Sequence, residues 1–378
     1  MRVLQHRWAP YTGWEGAGLQ ADMDAHLLLV FGGATALHKT SILQELRAAY
    51  PRALTFGCST AGEIAGTEVT DDHLVVTAVE FERTTLGFAK HAVTHPDQSA
   101  AVGASLARQL GREGLVHVFV LSDGLGVNGS ELVRGLTQAL PSEVTVTGGL
   151  SADGDRFQAT YVLNGQGPET GIVGALGFYG AALRVGYGSL GGWDPFGPER
   201  LVTRSEGNVL YELDDQSALE LYKTYLGEHA AGLPSTGLLF PLEIRRPGGG
   251  QPVVRTILAV DDGAQSMTFA GDVPEGSYAR LMKANFDRLI EGAAGAAETS
   301  RDALGEAVPE LALLISCVGR KLVLGQRIEE EVEGVRQVLG PHPVLSGFYS
   351  YGEISPFTPA ACCELHNQTM TITTLREV

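Results

Sequence analysis

The apolar run at residues 25–34 (AHLLLVFGGA) predicts a strand buried on both faces and ended by glycines. Ser41, with Gln44 three residues on, has the spacing of a capping box. Ile42, Leu43, Leu46 and Tyr50 give the apolar stripe of the helix it opens. A second strand at 53–58 enters the loop Gly57-Cys58-Ser59-Thr60-Ala61-Gly62-Glu63-Ile64, and a third covers 73–81. The order then recurs. A continuous apolar strand at 116–122 leads to Asp123-Gly124, Asn128 and Glu131 open a helix with Leu132, Val133, Leu136 and Leu140 on one face, and a strand at 143–147 runs into Gly148-Gly149 and Asp153-Gly154 before another at 157–163. It returns a third time: a strand at 311–317, a stripe of Ile328, Val332, Val335 and Leu339 closed by Gly340, the loop Gly347-Phe348-Tyr349-Ser350-Tyr351-Gly352-Glu353-Ile354, and a strand at 368–375. The first and third loops superpose at a constant offset of 290 residues, Gly57 onto Gly347 and Ile64 onto Ile354. Three related strand–loop–helix–strand–loop units, the middle one more divergent, are expected from internal duplication.

Between the units, 171–188 reads as a glycine-bent hairpin, 217–226 as a helix packed through Ala218, Leu221, Tyr222 and Tyr225, and 246–250 as a Pro/Gly turn. A helix is expected at 277–292 with Met282, Phe286, Leu289 and Ile290 inward, and a weak helix or loop at 291–308. The predicted class is α/β (mixed α+β): two domains built from the related units, with mixed sheets and helices packed on their faces. An N-terminal extension covers 1–24 and the domains 25–226 and 227–378, with the break near 226–238.

Composition narrows the function. Of 378 residues, 44% are hydrophobic and 19% charged, which places the chain among folded globular proteins. The net charge is −17, and the nearest approach to a basic cluster is Arg245-Arg246 in a Pro/Gly-rich loop, so nucleic acid and anionic membrane surfaces are not expected partners. No apolar run approaches the ~20 residues of a membrane helix, and residues 1–21 contain no signal-peptide core. The expected location is the cytoplasm, with Cys58, Cys317, Cys362 and Cys363 reduced.

The two Gly-Glu loops carry the candidate chemistry. Each follows a buried strand, where α/β folds place ligands, and each joins exposed backbone N–H groups to a hydroxyl and a carboxylate. Glu63 and Glu353, with Cys58, Ser59, Thr60, Gly62 and Gly352, would suit a zwitterion such as an amino acid; the competing reading makes both glutamates caps of nearby backbone. Asp123 either joins that face or closes an Asx turn. Arg320 either meets an anion or pairs with Glu353 inside the protein. Tyr349 and Tyr351 would give an aromatic wall. No catalytic residue is assigned: Cys58 has no local base, and Ser350 lacks the first glycine of a nucleophile elbow. Cys363 and His366 are spaced as C-x-x-H without a second pair, so no metal is expected, and His73, His117 and His366 are read as packed or exposed histidines.

The loop Gly57–Ile64, Gly148-Gly149 with Asp153, Gly207-Asn208 with Glu212-Leu213-Asp214, Phe269 to Gly276, Ser316 to Arg320, Gly347–Ile354 and His366-Asn367 occur in the order of the FIST family, an N-terminal FIST domain followed by a FIST C-terminal domain. The resemblance spans roughly residues 25–375. It implies a sensory input module of the kind found fused to chemotaxis receptors, histidine kinases and cyclic-di-GMP enzymes, taking small ligands, amino acids in particular. No such output segment is recognisable here, so the resemblance implies a stand-alone sensor that signals through a separate protein such as a histidine kinase or cyclic-di-GMP enzyme. Some FIST-type proteins bind haem as nitric-oxide sensors, which keeps haem open as a cofactor. A hydrolase or transferase and an interaction scaffold are the other readings carried forward.

Overall fold

A computed structural model describes residues 1–16, 18, 19, 22–248, 251–357 and 362–378. Three units share one plan. Each has an outer strand (Arg2–Ala9, Thr85–Ala92, Leu183–Leu190) and a parallel strand–helix–strand core. The cores are Leu27–Gly32, Thr40–Ala49 and Leu54–Ser59; Leu115–Ser122, Gly129–Ala139 and Thr145–Leu150; and Leu311–Cys317, Ile328–Leu339 and Val344–Ser350. A return strand follows (Leu74–Glu80, Ile172–Tyr179, Met370–Glu377). In all three sheets the order is second parallel strand, first parallel strand, return strand, outer strand.

Each unit also lends a strand to a neighbour. Glu63–Ala65 of the first pairs with Val344–Ser350 of the third, Val162–Asn164 of the second with Leu54–Ser59 of the first, and Gly352–Pro356 of the third with Thr145–Leu150 of the second. The exchange is cyclic, which gives the molecule a pseudo-threefold axis.

The continuous apolar strands follow from that arrangement. Leu27, Leu29 and Phe31 point inward and share one core with Phe119 and Leu121 of the second unit and Leu313, Ile315 and Phe348 of the third. The alternate residues Leu28 and Val30 face outward onto Ile42, Leu43 and Leu46 of the unit's helix. A strand covered on both faces has no polar side to display. Rings interlock across units, with Phe31 and Phe348 4.7 Å apart and Phe56 and Phe119 6.2 Å apart.

The third unit is interrupted after its outer strand. Residues 193–284 form an eight-stranded sheet whose two edge strands, Val253–Arg255 and Ile257–Asp261, are separated by one residue, so the sheet curls on itself. Helix Ala218–Leu226 fills it, with Leu219 and Tyr222 among Val202, Leu210, Ile244 and Phe269. The chain then re-enters the unit through helix Phe286–Leu304, which packs on Ile328–Leu339 as Ser99–Leu110 packs on Gly129–Ala139 in the second unit. The mixed α/β class is as expected from the sequence.

Several local expectations differ from the structure. The 171–188 hairpin does not form: Ile172–Tyr179 is flanked by Leu115–Ser122 and Thr85–Ala92, which leaves no free edge, and Leu183–Leu190 joins the third sheet instead. The helix expected at 277–292 is strand Tyr278–Ala284 followed by helix Phe286–Leu304, opened by Asn285, whose side chain accepts from Arg288 N. The Ala/Gly-rich stretch after 291 is therefore helical to Leu304, burying Ala293, Ala296 and Ala297. The first helix begins at Thr40, one residue before the expected cap Ser41, and no side chain caps it. The segment 157–163 is strand only at Val162–Asn164. Arg2–Ala9, within the expected N-terminal extension, lies in the first sheet, while residues 17, 20 and 21 of that extension and 249 and 250 of the expected turn lie outside the described residues. Among the described residues no helix is long and apolar enough to cross a membrane.

Candidate functional site

The three loops after the second parallel strands meet at the pseudo-threefold axis. Ala61 N donates to Tyr349 O (2.8 Å), Ala152 N to Ser59 O (2.9 Å) and Tyr351 N to Leu150 O (3.3 Å), a closed ring of bonds from unit to unit between corresponding residues. The segments the sequence singled out far apart in the chain are thus neighbours.

Behind the ring sit the two glutamates, both fully buried. The Thr60 hydroxyl donates to Glu63 Oε1 and His73 N to Oε2 (3.1 Å). The Ser350 hydroxyl donates to Glu353 Oε1 (2.6 Å), and Thr369 donates to Oε2 through its N–H and its hydroxyl. The second unit has Gly154 at the matching position; its turn is held by Asp153, which accepts from Phe157 N, Gln158 N and Ala159 N, while Asp123 accepts from Leu125 N, Gly126 N, the Thr160 hydroxyl and Gly171 N. The Asx-turn alternative for Asp123 describes the bonds from Leu125 N and Gly126 N.

Burial lifts Glu63 to about 8, against the donors Thr60 and His73 and the charge of Lys321. Burial lifts Glu353 equally to about 8, against Ser350, Thr369 and Arg320. Both carboxyls are protonated at neutral pH. A folded pKa above the unfolded value of about 4.3 means tighter proton binding in the folded state, so this stabilisation is complete below the unfolded value and is lost as pH rises toward 8. The urea midpoint of the wild-type protein is therefore expected to fall between about pH 5 and pH 8 more steeply than that of a Glu63→Gln, Glu353→Gln double variant, in which the amide replaces the protonated acid. Parallel pH profiles would show that the carboxyls titrate normally.

The other sequence candidates divide between core and cleft. Cys58 is buried and burial pushes its thiol well up, a poor state for a nucleophile. The Ser59 hydroxyl accepts Tyr161 N (2.9 Å). Arg320 is fully buried and bonds Glu331 rather than Glu353, with Nη2 2.7 Å from Glu331 Oε2. The Tyr349 hydroxyl donates to Glu331 (2.7 Å), while Tyr351 donates to Asp153 and stacks on Phe157 at 4.6 Å. Gly352 pairs with Leu150 in the second sheet.

Thr60, Gly62 and Glu63 instead border a cleft of about 380 Å³ at the carboxyl ends of the parallel strands. All three units wall it: the first with Asp71 and Asp72, the second with Asp155 and Arg156, the third with Lys321 and Leu322. Lys321 Nζ donates to Ala61 O (2.8 Å) and Asp71. Only glycine leaves room for it, since a Cβ at Gly62 would stand 2.5 Å from Lys321 Nζ and φ there is +138°. Among the described residues, Arg156 has no acidic partner and Asp72 and Asp155 have no basic one. Sequence reasoning missed these five charged residues. Asp71-Asp72 just before a strand was the readable hint; the pair Asp155-Arg156 on a loop and Lys321 on a short helix have no pattern to mark them.

No group of His, Cys, Asp and Glu among the described residues could hold a metal ion. Cys363 donates to Val146 O and His366 Nε2 to Ser355 O, so the C-x-x-H pair is spent on the fold. Both nitrogens of His117 engage threonines, Thr145 and Thr147. Haem needs a histidine on an apolar slot; in the clefts of the described residues that hold a histidine, His73 stands with Asp71 and Asp72, His95 with Asp97, and His342 with Glu310.

Three sheets that share strands around a mixed-charge cleft, beside an inserted curled sheet, define an α/β module with an open cleft walled by all three units. Residues 26–216 match the FIST N domain and residues 218–356 the FIST C domain. The chain belongs to the FIST family, whose domains are generally sensory, ligand-binding domains of signalling proteins. No curated protein matches it. Among solved structures, a cyanuric acid hydrolase from A. caulinodans is 9% identical over 100% of this chain and 99% of that one, with a TM-score of 0.38. PurLQS from Thermotoga maritima is 8% identical over 84% and 74%, with a TM-score of 0.21. Neither likeness is close enough to bear on fold or activity.

Proposed function

We propose that the protein is a sensor that binds a small zwitterion, an amino acid being the simplest, in the axial cleft and hands the signal to a separate signalling protein such as a histidine kinase or cyclic-di-GMP enzyme. The observation that carries this is unspent charge of both signs on walls contributed by all three units. Arg156 receives the ligand carboxylate, and Asp72 and Asp155 receive the ammonium. Lys321, held by Ala61 O and Asp71, adds positive potential beside the carboxylate. A ligand bonded to Asp72 of the first unit and Arg156 of the second, beside Lys321 of the third, biases their relative positions, which is the physical content of a sensor. Binding is favoured over catalysis because the hydroxyl–carboxyl pair on the wall is spent within the fold: Thr60 donates to Glu63, whose other oxygen accepts His73 N.

Calorimetry against a panel of amino acids tests the reading. Arg156→Ala, at an exposed loop position, is expected to weaken binding about tenfold or more, the worth of a hydrogen bond to a charged group, with the fold intact and partial recovery in Arg156→Lys. Failure of every amino acid to bind the wild-type protein defeats it.

A further inference from the structure

The axial cleft adjoins a second chamber of about 600 Å³ on the first unit. Asp71 and Asp72 border both, so one turn separates them. The chamber differs in character: beside Glu15, His73 and the shared aspartates, its wall includes Trp8, Pro10 and Tyr11 of the N-terminal strand and the bend after it, and Thr35 and Lys39. Lys39 Nζ lies 4.3 Å from the centre of the Trp8 ring and has no acidic partner among the described residues. Tyr11, between strands Arg2–Ala9 and Gly13–Trp14, is 100% exposed.

We infer that the ligand is an amino acid with an aromatic side chain, seated with its ring in the chamber of Trp8, Tyr11 and Lys39. This rests on the zwitterion reading of the axial cleft and names its ligand class. The shared residue sets the geometry. An ammonium on Asp72 leaves the two other substituents of the ligand's α-carbon to diverge, the carboxylate toward Arg156 and the side chain over the turn toward Trp8. The chamber offers a ring what it needs: the edge of a largely buried indole, a tyrosine whose side chain is wholly exposed, and an ammonium already seated on one π face and able to meet a second. A ring closing under Tyr11 removes both from water.

The test is calorimetry on the full chain with L-alanine, L-phenylalanine and β-cyclohexyl-L-alanine, repeated with Tyr11→Ala and Tyr11→Phe. Phenylalanine is expected to bind at least about tenfold more tightly than alanine, from the burial of its ring, and about two- to fivefold more tightly than the saturated ring, the worth of the cation–π term. Tyr11→Ala is expected to bring the phenylalanine-to-alanine ratio toward one, and Tyr11→Phe to preserve it. Equal affinities for alanine and phenylalanine, or a ratio untouched by Tyr11→Ala, overturn the aromatic assignment and leave the zwitterion site standing. Absence of binding by all three ligands overturns the aromatic assignment, and the zwitterion site then stands or falls by the full amino-acid panel.

Discussion

Gly57→Ala, Gly148→Ala and Gly347→Ala are each expected to destabilise the protein by about 3 kcal/mol or more, at or beyond the upper end for overpacked sites. These glycines occupy the same place in the three units, on the second parallel strand opposite the first. At each the backbone turns so that a side chain would point at the neighbouring strand. A Cβ would stand 1.8 Å from Val30 O at Gly57, 1.9 Å from Val120 O at Gly148 and 1.8 Å from Leu314 O at Gly347. The obstacle in every case is backbone of a central strand, bonded on both sides and packed on both faces, so it cannot move aside as a flexible side chain would. Gly66→Ala is the control: it meets nothing within 4 Å, and its φ of +62° costs only about 1–2 kcal/mol. Urea unfolding of the four variants decides it. Losses at the three axial positions no larger than at Gly66 would mean that the strands do not approach as described.

Those glycines also mark what was readable in the chain. The first and third loops announced themselves because Gly57, Gly62 and Glu63 recur as Gly347, Gly352 and Glu353 with the same hydroxyl–carboxyl bond, Thr60 to Glu63 and Ser350 to Glu353. The second loop looked divergent because the N–H before the return strand, Gly171 N, is met by Asp123 after the other parallel strand, and Gly154 stands where the other loops have glutamate. The strands were legible wherever burial on both faces made them uniformly apolar, as at 27–31. The strand exchange was not legible: Glu63–Ala65 and Val162–Asn164 are three residues each and are fixed by pairing with strands over a hundred residues away, a contact that leaves no local period. The same nonlocality undid the 171–188 hairpin. The cleft stayed hidden for another reason. Its charges lie at three places far apart in sequence, 71–72, 155–156 and 321, and meet only because the axial ring brings loops of three units together.

Arg320 shows how a residue singled out for ligand chemistry serves the fold, and it leads to the second large effect. Removing either partner of the Arg320–Glu331 pair is expected to cost about 3–5 kcal/mol, since both side chains are fully buried and the survivor is left charged in a low-dielectric core. The Arg320→Met, Glu331→Leu double variant is expected to lose at least about 2 kcal/mol less than the sum of the singles, because neither charge then remains. It does not return to wild type: the Ser316 and Tyr349 hydroxyls lose Glu331 as acceptor, and the Gly191 and Leu289 carbonyls lose Arg320 as donor. Those two carbonyls flank the inserted sheet, Gly191 just before its first strand and Leu289 in the first turn of the helix that follows it. Arg320 therefore fastens both stalks of the insert to the third unit, at 2.8 Å to Gly191 O and 2.7 Å to Leu289 O. Hydrogen exchange distinguishes this clamp from a general loss of stability. In Arg320→Met, amides near 190–193 and 286–290 are expected to lose protection ahead of the first unit's central strand Leu27–Gly32. Uniform loss across all three units would show that the pair stabilises the core without tethering the insert.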